Sequence, residues 1–360
     1  LAALAFLATA GTAAAQSSTA IDVGTLGGDQ AMGYAINSSG TVVGSSRLPD
    51  ELDYDGFEYA HGTIANLGTF GGVDSFATGI NDCGEIVGNS YGGANGGTMA
   101  IADKDNVIIR LGTLGGSDSY AFAVNASGTV VGYSATSGNA AEQAFSFTNG
   151  AMHDLGTLGG TDSAAYGINS QGTVVGGSFI AGDAAEHAFS YSAGRMVDLG
   201  TLGGSTSVAN GINNLGVIVG YSFTAGDDAE HAFSFARGSM SDLGTLGGSS
   251  SIANAVNSSG VIVGESTTSS GSEHAFIYRN GKMTDLNTLV SIRGVTLVDA
   301  TAINNLDQLV AEGSNNQTYV LTVIPEPASF AVTLGVISVA FAYLRRRKAA
   351  HDVFPFPSHP

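Results

Sequence analysis

A chain of 360 residues could hold two ordinary domains, yet only 12% of its residues are charged, and 31 acidic against 12 basic side chains give a formal net charge of -19. Such a surface repels nucleic acid and anionic lipid, which are ordinarily gripped through Lys and Arg. The single cysteine, Cys83, excludes an internal disulfide and reads as an incidental thiol.

Leu1 to Ala10 is an apolar run followed by Ala13-Ala14-Ala15 before Gln16, the core and A-x-A cleavage site of a secretory signal peptide over residues 1–15. An initiator Met and a basic n-region are missing, so this leader is expected to be truncated at its start. From there a phrase, Leu-Gly-Thr-Leu-Gly-Gly with variants, recurs through the chain. Its threonines are Thr25, Thr69, Thr113, Thr157, Thr201, Thr245 and Thr288, spaced by 44 five times and then by 43. The asparagine of Ala/Gly-Ile/Val-Asn keeps the same beat at Asn37, Asn81, Asn125, Asn169, Asn213, Asn257 and Asn304, five steps of 44 and one of 47. A period of this size marks an array whose single unit cannot bury its own apolar surface.

Within a unit the pattern predicts four short antiparallel strands and no helix. In the fourth unit, Ala165 to Asn169 reads as a first strand, the Asn169-Ser170-Gln171-Gly172 turn leads to a second at Val174-Val175, and Ala188-Phe189-Ser190-Tyr191 alternates as a third. Asn opens that turn and Gly closes it in every unit but the last, where Asp307 stands in for Gly; Asp tolerates the left-handed conformation. These asparagines are therefore read as turn formers. A second turn at Gly62, Asn106, Gly150, Gly194, Gly238 and Gly281 leads to a fourth strand such as Met196 to Gly200.

Four-stranded units of this length are those of a propeller, and seven landmarks predict an all-β, seven-bladed β-propeller over residues 17–323. The chain enters on an isolated fourth strand, Ala20 to Gly24, and leaves after a third, Thr318 to Val323, so an N-terminal strand would complete the last blade and hide its edge. The alternative is an open β-solenoid, which needs capping units and gives no reason for a split unit.

Few residues suggest chemistry. His187, His231 and His274 recur a unit apart, too far around a ring to share one metal, and are read as repeated hydrogen-bonding residues. Gly88-Asn89-Ser90-Tyr91-Gly92 matches a nucleophile elbow in letters, but it lacks the strand-turn-helix context that motif needs. Asp50, Glu51, Asp53 and Asp55 crowd one loop without the spacing of a calcium-binding loop, and Asp183, Asp227 and Asp228 occupy equivalent loops. Calcium-stabilised structure is a third reading beside the structural and enzymatic ones. No Trp is present, so sugar binding would rest on Tyr and polar groups. No catalytic residue, metal ligand or cofactor is expected.

Towards the C-terminus, Ala328 to Leu344 gives 17 uncharged, mostly apolar residues, enough for a short transmembrane helix, and Arg345, Arg346, Arg347 and Lys348 follow as a stop-transfer cluster. That order leaves the array outside the cytoplasm. Glu186-His187-Ala188-Phe189, Glu230-His231-Ala232-Phe233 and Glu273-His274-Ala275-Phe276, each ahead of Asp-Leu-Gly-Thr-Leu-Gly-Gly or its remnant, resemble the HAF repeat of bacterial extracellular proteins. Residues 324–348 resemble a PEP-CTERM sorting signal, with Pro325, Glu326 and Pro327 as the sorting motif; a tail of residues 349–360 departs from that pattern. These resemblances imply export across the inner membrane of a Gram-negative bacterium, transient anchoring, and sorting by exosortase to the cell surface in association with exopolysaccharide or biofilm. The expected function is structural or adhesive rather than enzymatic. The alternative is a propeller-fold polysaccharide hydrolase or lyase, which should break the repeat where non-equivalent polar residues converge on one end of the axis.

Overall fold

The computed structural model describes residues 18–49, 53–92 and 96–323; the leader, the sorting motif, the apolar span, the basic cluster and the tail lie outside them, as do Asp50 and Glu51. Seven four-stranded antiparallel meanders follow one another through the described residues. The fifth and sixth are further linked by one parallel bridge between Glu230 and Ser250.

Unit four shows why these residues form these strands. Its strands are Gly159–Ile168, Val174–Ile180, Glu186–Ser192 and Arg195–Asp198. Val174, Val175 and Phe189 are fully or nearly fully buried, and the Val-Val-Gly triplet ends in glycine because a Cβ on Gly176 would collide with the Ala164 carbonyl of the first strand. Ser192 and Arg195 pair across a two-residue turn in which Ala193 (φ 50°) and Gly194 (φ 77°) are both left-handed. That is the hairpin geometry matching the natural twist of its strands. Asn106 (φ 62°) and Asp307 (φ 58°) take positive φ where the sequence assigned them in place of glycine.

One boundary differs from the sequence reading. The first strand begins at Gly159, not Ala165, so the Gly-Gly of the recurring phrase opens the strand instead of preceding it. Hydropathy alternation cannot register a Gly-Gly start, because glycine has no side chain to alternate. Helical pattern is also not wholly absent: short 3-10 turns occur at Ser137–Asn139, Ala181–Asp183, Ala225–Asp227 and Leu286–Thr288.

The recurring phrase is a set of local bonds. Asp198 Oδ1 accepts from Gly200 N (2.7 Å), and Leu199 is buried with its N–H on Ala188 O (2.9 Å). Thr201 Oγ1 donates to Gly204 O (2.8 Å) and accepts from Gly203 N (3.1 Å), while Leu202 N donates to Ser222 Oγ (2.9 Å). Between units, Ala188 N donates to Ser207 Oγ (2.9 Å), which in turn donates to Gly200 O (2.6 Å).

The two ends of the repeat array meet as expected. Thr19–Asp22 lies antiparallel to Thr318–Thr322, with Ile21 opposite Val320 and Asp22 opposite Tyr319. The seventh sheet is therefore completed by the N-terminal strand.

Candidate functional site: the axial channel and its rim

The first strand of every unit faces a common axis, where Tyr34 to Ile36, Thr78 to Ile80 and their counterparts through Thr301 to Ile303 line a channel of ≈ 290 Å³. Each of these strands carries a one-residue bulge where its register against the second strand slips, and in five of the seven the register slips at a further place. The extra residue is Tyr34, Thr78, Phe122, Tyr166, Asn210, Asn254 or Thr301, and all seven are among the channel-lining residues. A bulge bends the strand and re-aims one side chain, here towards the axis.

At the end of the first strand each landmark asparagine does two jobs. Asn169 Oδ1 accepts from Gln171 N (3.1 Å) and Thr173 N (2.9 Å), closing its own turn. Its Nδ2 donates to Asn213 O of the next unit (3.3 Å). The same bond runs from Asn37 to Asn81, Asn81 to Asn125, Asn125 to Asn169, Asn213 to Asn257, Asn257 to Asn304 and Asn304 to Asn37. The sequence reading as turn formers holds, and the structure adds the bridge between units.

The other rim of the channel breaks the repeat. An aromatic arc crosses units one to four: Tyr54, Phe76, Tyr91, Tyr120, Tyr133, Phe122 and Tyr166 follow in contact, with centroids 4.6 to 6.0 Å apart. Burial, with neighbouring phenols and carboxylates, raises the Tyr91 and Tyr166 hydroxyls to about 12. Carboxylates take over in units four to seven. Burial raises Glu186, Glu230 and Glu265 above the ordinary range. Asp299 keeps some exposed surface but is packed around on most sides; burial, and then the charges of Glu265 and Glu312, carry it to about 7. Glu312 also reaches about 7 through burial, despite accepting from Gly33 N (2.8 Å) and Thr318 Oγ1 (2.9 Å). Asn254 Nδ2 donates to Asp299 Oδ1 at 2.7 Å.

This convergence was missed in the sequence, which offered no catalytic residue. The readable signal was the slot after Val-Val-Gly, occupied in turn by Ser45, Asn89, Tyr133, Gly177, Tyr221, Glu265 and, after Val-Ala, Glu312. It varies while its neighbours repeat.

The sequence-derived candidates settle into local roles. His187, His231 and His274 bond through Nδ1 to Asp198, Asp242 and Asp285 of the adjacent outer strand, at 2.9, 2.8 and 2.7 Å. Ser90 is buried and donates to Thr69 O (2.9 Å), as a structural rather than nucleophilic hydroxyl would. Asp183 and Asp227 accept from the backbone N–H of Thr161 and Ser205 (2.7 Å each), stapling their own loops. Asp55 is buried and accepts from Asn66 Nδ2 (2.7 Å). Among the described residues no group of three or more His, Cys, Asp and Glu is placed to hold a metal ion.

Comparison with solved structures identifies the fold as a β-propeller. The chain is similar to a catalytically inactive variant of virginiamycin B lyase from Staphylococcus aureus (TM-score 0.52, 11% identity, 86% of this chain and 100% of that one). It is similar also to YCF48 bound to D1 peptide (TM-score 0.53, 11% identity, 87% and 96%). An acylaminoacyl peptidase from Pyrococcus horikoshii shares the fold over 80% of this chain and half of its own (TM-score 0.52, 8% identity). At such identities the likeness concerns the fold alone, and the neighbours include both enzymes and a peptide-bound protein. No family model and no curated protein matches the chain.

Proposed function

We propose that this chain is an exported surface or matrix protein whose seven-bladed, self-closed propeller serves as a rigid acidic platform, structural or adhesive rather than catalytic. The observation that supports it is the circle of asparagine bonds: the most regular polar residues of the repeat are spent on joining units. The recurrent histidines are likewise paired within their own units. Export rests on the flanks read from the sequence, a leader over residues 1–15 and a sorting signal over 324–348 acted on by exosortase, with exopolysaccharide as the associated material. The test is expression in a Gram-negative host that has exosortase. Wild type is expected outside the cell, trimmed at both ends, and a Pro325→Ala, Glu326→Ala, Pro327→Ala variant is expected to stay in the membrane fraction. Recovery of the untrimmed chain in the cytoplasm would sink the reading.

A second reading, a polysaccharide hydrolase or lyase, is favoured by Asp299 and Glu312: carboxyls near 7 beside the channel can exchange protons at neutral pH. Release of reducing or unsaturated ends from extracellular polysaccharide by wild type, abolished in Asp299→Asn, supports it. Absence of release over a broad panel of polysaccharides removes it.

A further inference from the structure

Where the aromatic arc meets the carboxylates, between units three and four, lies a cavity of ≈ 200 Å³ lined by Tyr133, Tyr166, Phe179, Glu142, Asp162 and Glu186. We infer that this cavity at the channel rim binds an organic ammonium ion, its charge between Glu142 and Glu186 and its carbon body against Tyr133 and Tyr166.

Its walls are fixed before any ligand arrives. Tyr133 stacks on Tyr120 (4.6 Å, 24°) and leans on Phe122 (5.7 Å), which also backs Tyr166 (5.3 Å). The bulge that projects Tyr166 is held by strand pairing on both sides. Glu142 is anchored through its N–H on Asp162 Oδ1 (2.7 Å). Glu186 leans inward because its neighbour Gly177 has no side chain; a Cβ there would collide with Glu186 Oε1. Other units fill that slot, with Tyr133 and Tyr221 for example, so the glycine clears this place in particular.

The lining selects the ligand. Aromatic faces carry negative π density and attract cations, best where water is excluded, and carboxylates add full charge. Among the described residues the ion pairs are those of Arg47, Arg279 and three histidines, and none includes Glu142 or Glu186. Burial destabilises the ionised Glu186, and a bound cation would offset that. The carboxylates are not grouped to share a metal ion. The volume is below the roughly 300–1,000 Å³ of a drug-sized pocket, so it holds one head group of a ligand that continues outward.

Two sources supply this chemistry: an amino-sugar unit of a glycan and a polyamine. The experiment is calorimetric titration of the full chain at low ionic strength with a β-1,4-glucosamine tetramer, with spermidine, and with the N-acetylated tetramer as a neutral control. Binding of either ammonium probe, weakened by salt, with at least ten-fold weaker binding of the neutral tetramer, is expected. The better ammonium probe names the source. Glu186→Gln and, separately, Tyr166→Leu are each expected to weaken binding at least five-fold. Glu273→Gln, at the equivalent exposed position in unit six, is expected to leave it unchanged. Failure of both ammonium probes to bind, equal binding of the neutral tetramer, or full affinity in a folded Tyr166→Leu protein overturns the inference.

Discussion

Asn304 Nδ2 donates to the backbone carbonyl of Asn37 at 3.0 Å, joining residues 267 positions apart in the chain. The bond repeats in kind the one between Asn213 and Asn257 (2.8 Å), although it crosses from the last unit to the first. Around it, Thr301 Oγ1 donates to Gly33 O (2.7 Å) and Gln317 Nε2 to Asp29 O (2.8 Å). The closing contact is thus made like the others.

Replacing Asn304 with Ala removes this donor together with the acceptor for Leu306 N and Gln308 N, all at a residue only 5% exposed. Leaving a buried polar group unpaired costs about 1–3 kcal/mol, and the part-buried Leu306 and Gln308 N–H groups can partly turn to water, so a loss of about 2–4 kcal/mol is expected. Urea unfolding measures it, and a loss below about 0.5 kcal/mol would show the circle to be incidental.

Deleting Ser17 to Gly24 strips the strand that pairs with Thr318–Thr322 and bares a row of unpaired backbone groups. An exposed edge of this kind templates association. Light scattering is expected to show aggregation of the shortened chain at concentrations where the full chain stays dispersed. A monomeric, equally stable product would contradict closure by this strand.

Ala193 holds φ at 50°, a conformation that strains a residue with a Cβ. Ala193→Gly is expected to stabilise the protein by about 0.5–1 kcal/mol, since relief of left-handed strain outweighs the entropy glycine adds to the unfolded chain. Arg237→Gly, also left-handed at φ 54°, is expected to act in the same direction. A lowered unfolding midpoint in both would refute the strain argument.

The pH profile of stability should run opposite to that of a salt-bridged carboxylate. Asp299 and Glu312 titrate near 7 when folded, against 3.8 and 4.5 as free groups. Between those values the folded chain binds more protons than the unfolded one, so stability falls as pH rises from about 4 through 7 and then levels. Below both values the two states are equally protonated and these groups contribute no slope. The melting temperature is expected to drop over this window in wild type, and less steeply in Asp299→Asn. A rising profile in wild type and an unchanged slope in the variant would count against the raised pair.

Much of the fold was legible because the features concerned are local. The turn at Asn169 closes within four residues through its own side chain, and the Ala193–Gly194 hairpin is written in adjacent letters. Phe57, Phe145, Phe189, Phe233 and Phe276, the alternating aromatics of the third strands, are all fully buried. The full length of the first strand was hidden by its opening glycines. The second bond of each asparagine was hidden too, because its partner lies a whole unit away.

Period, turn chemistry, buried face and the complementary end fragments were set by the sequence alone, since each is a demand that a few neighbouring residues make on their own backbone. The channel rim was decided only in three dimensions. Tyr34, Tyr166, Glu186, Asp299 and Glu312 are scattered through the chain, and nothing short of ring closure, with a bulge turning one residue per unit inward, sets their charges and aromatic faces around one opening. Desolvation and charge proximity depend on what surrounds a group in space, and linear spacing carries no record of either.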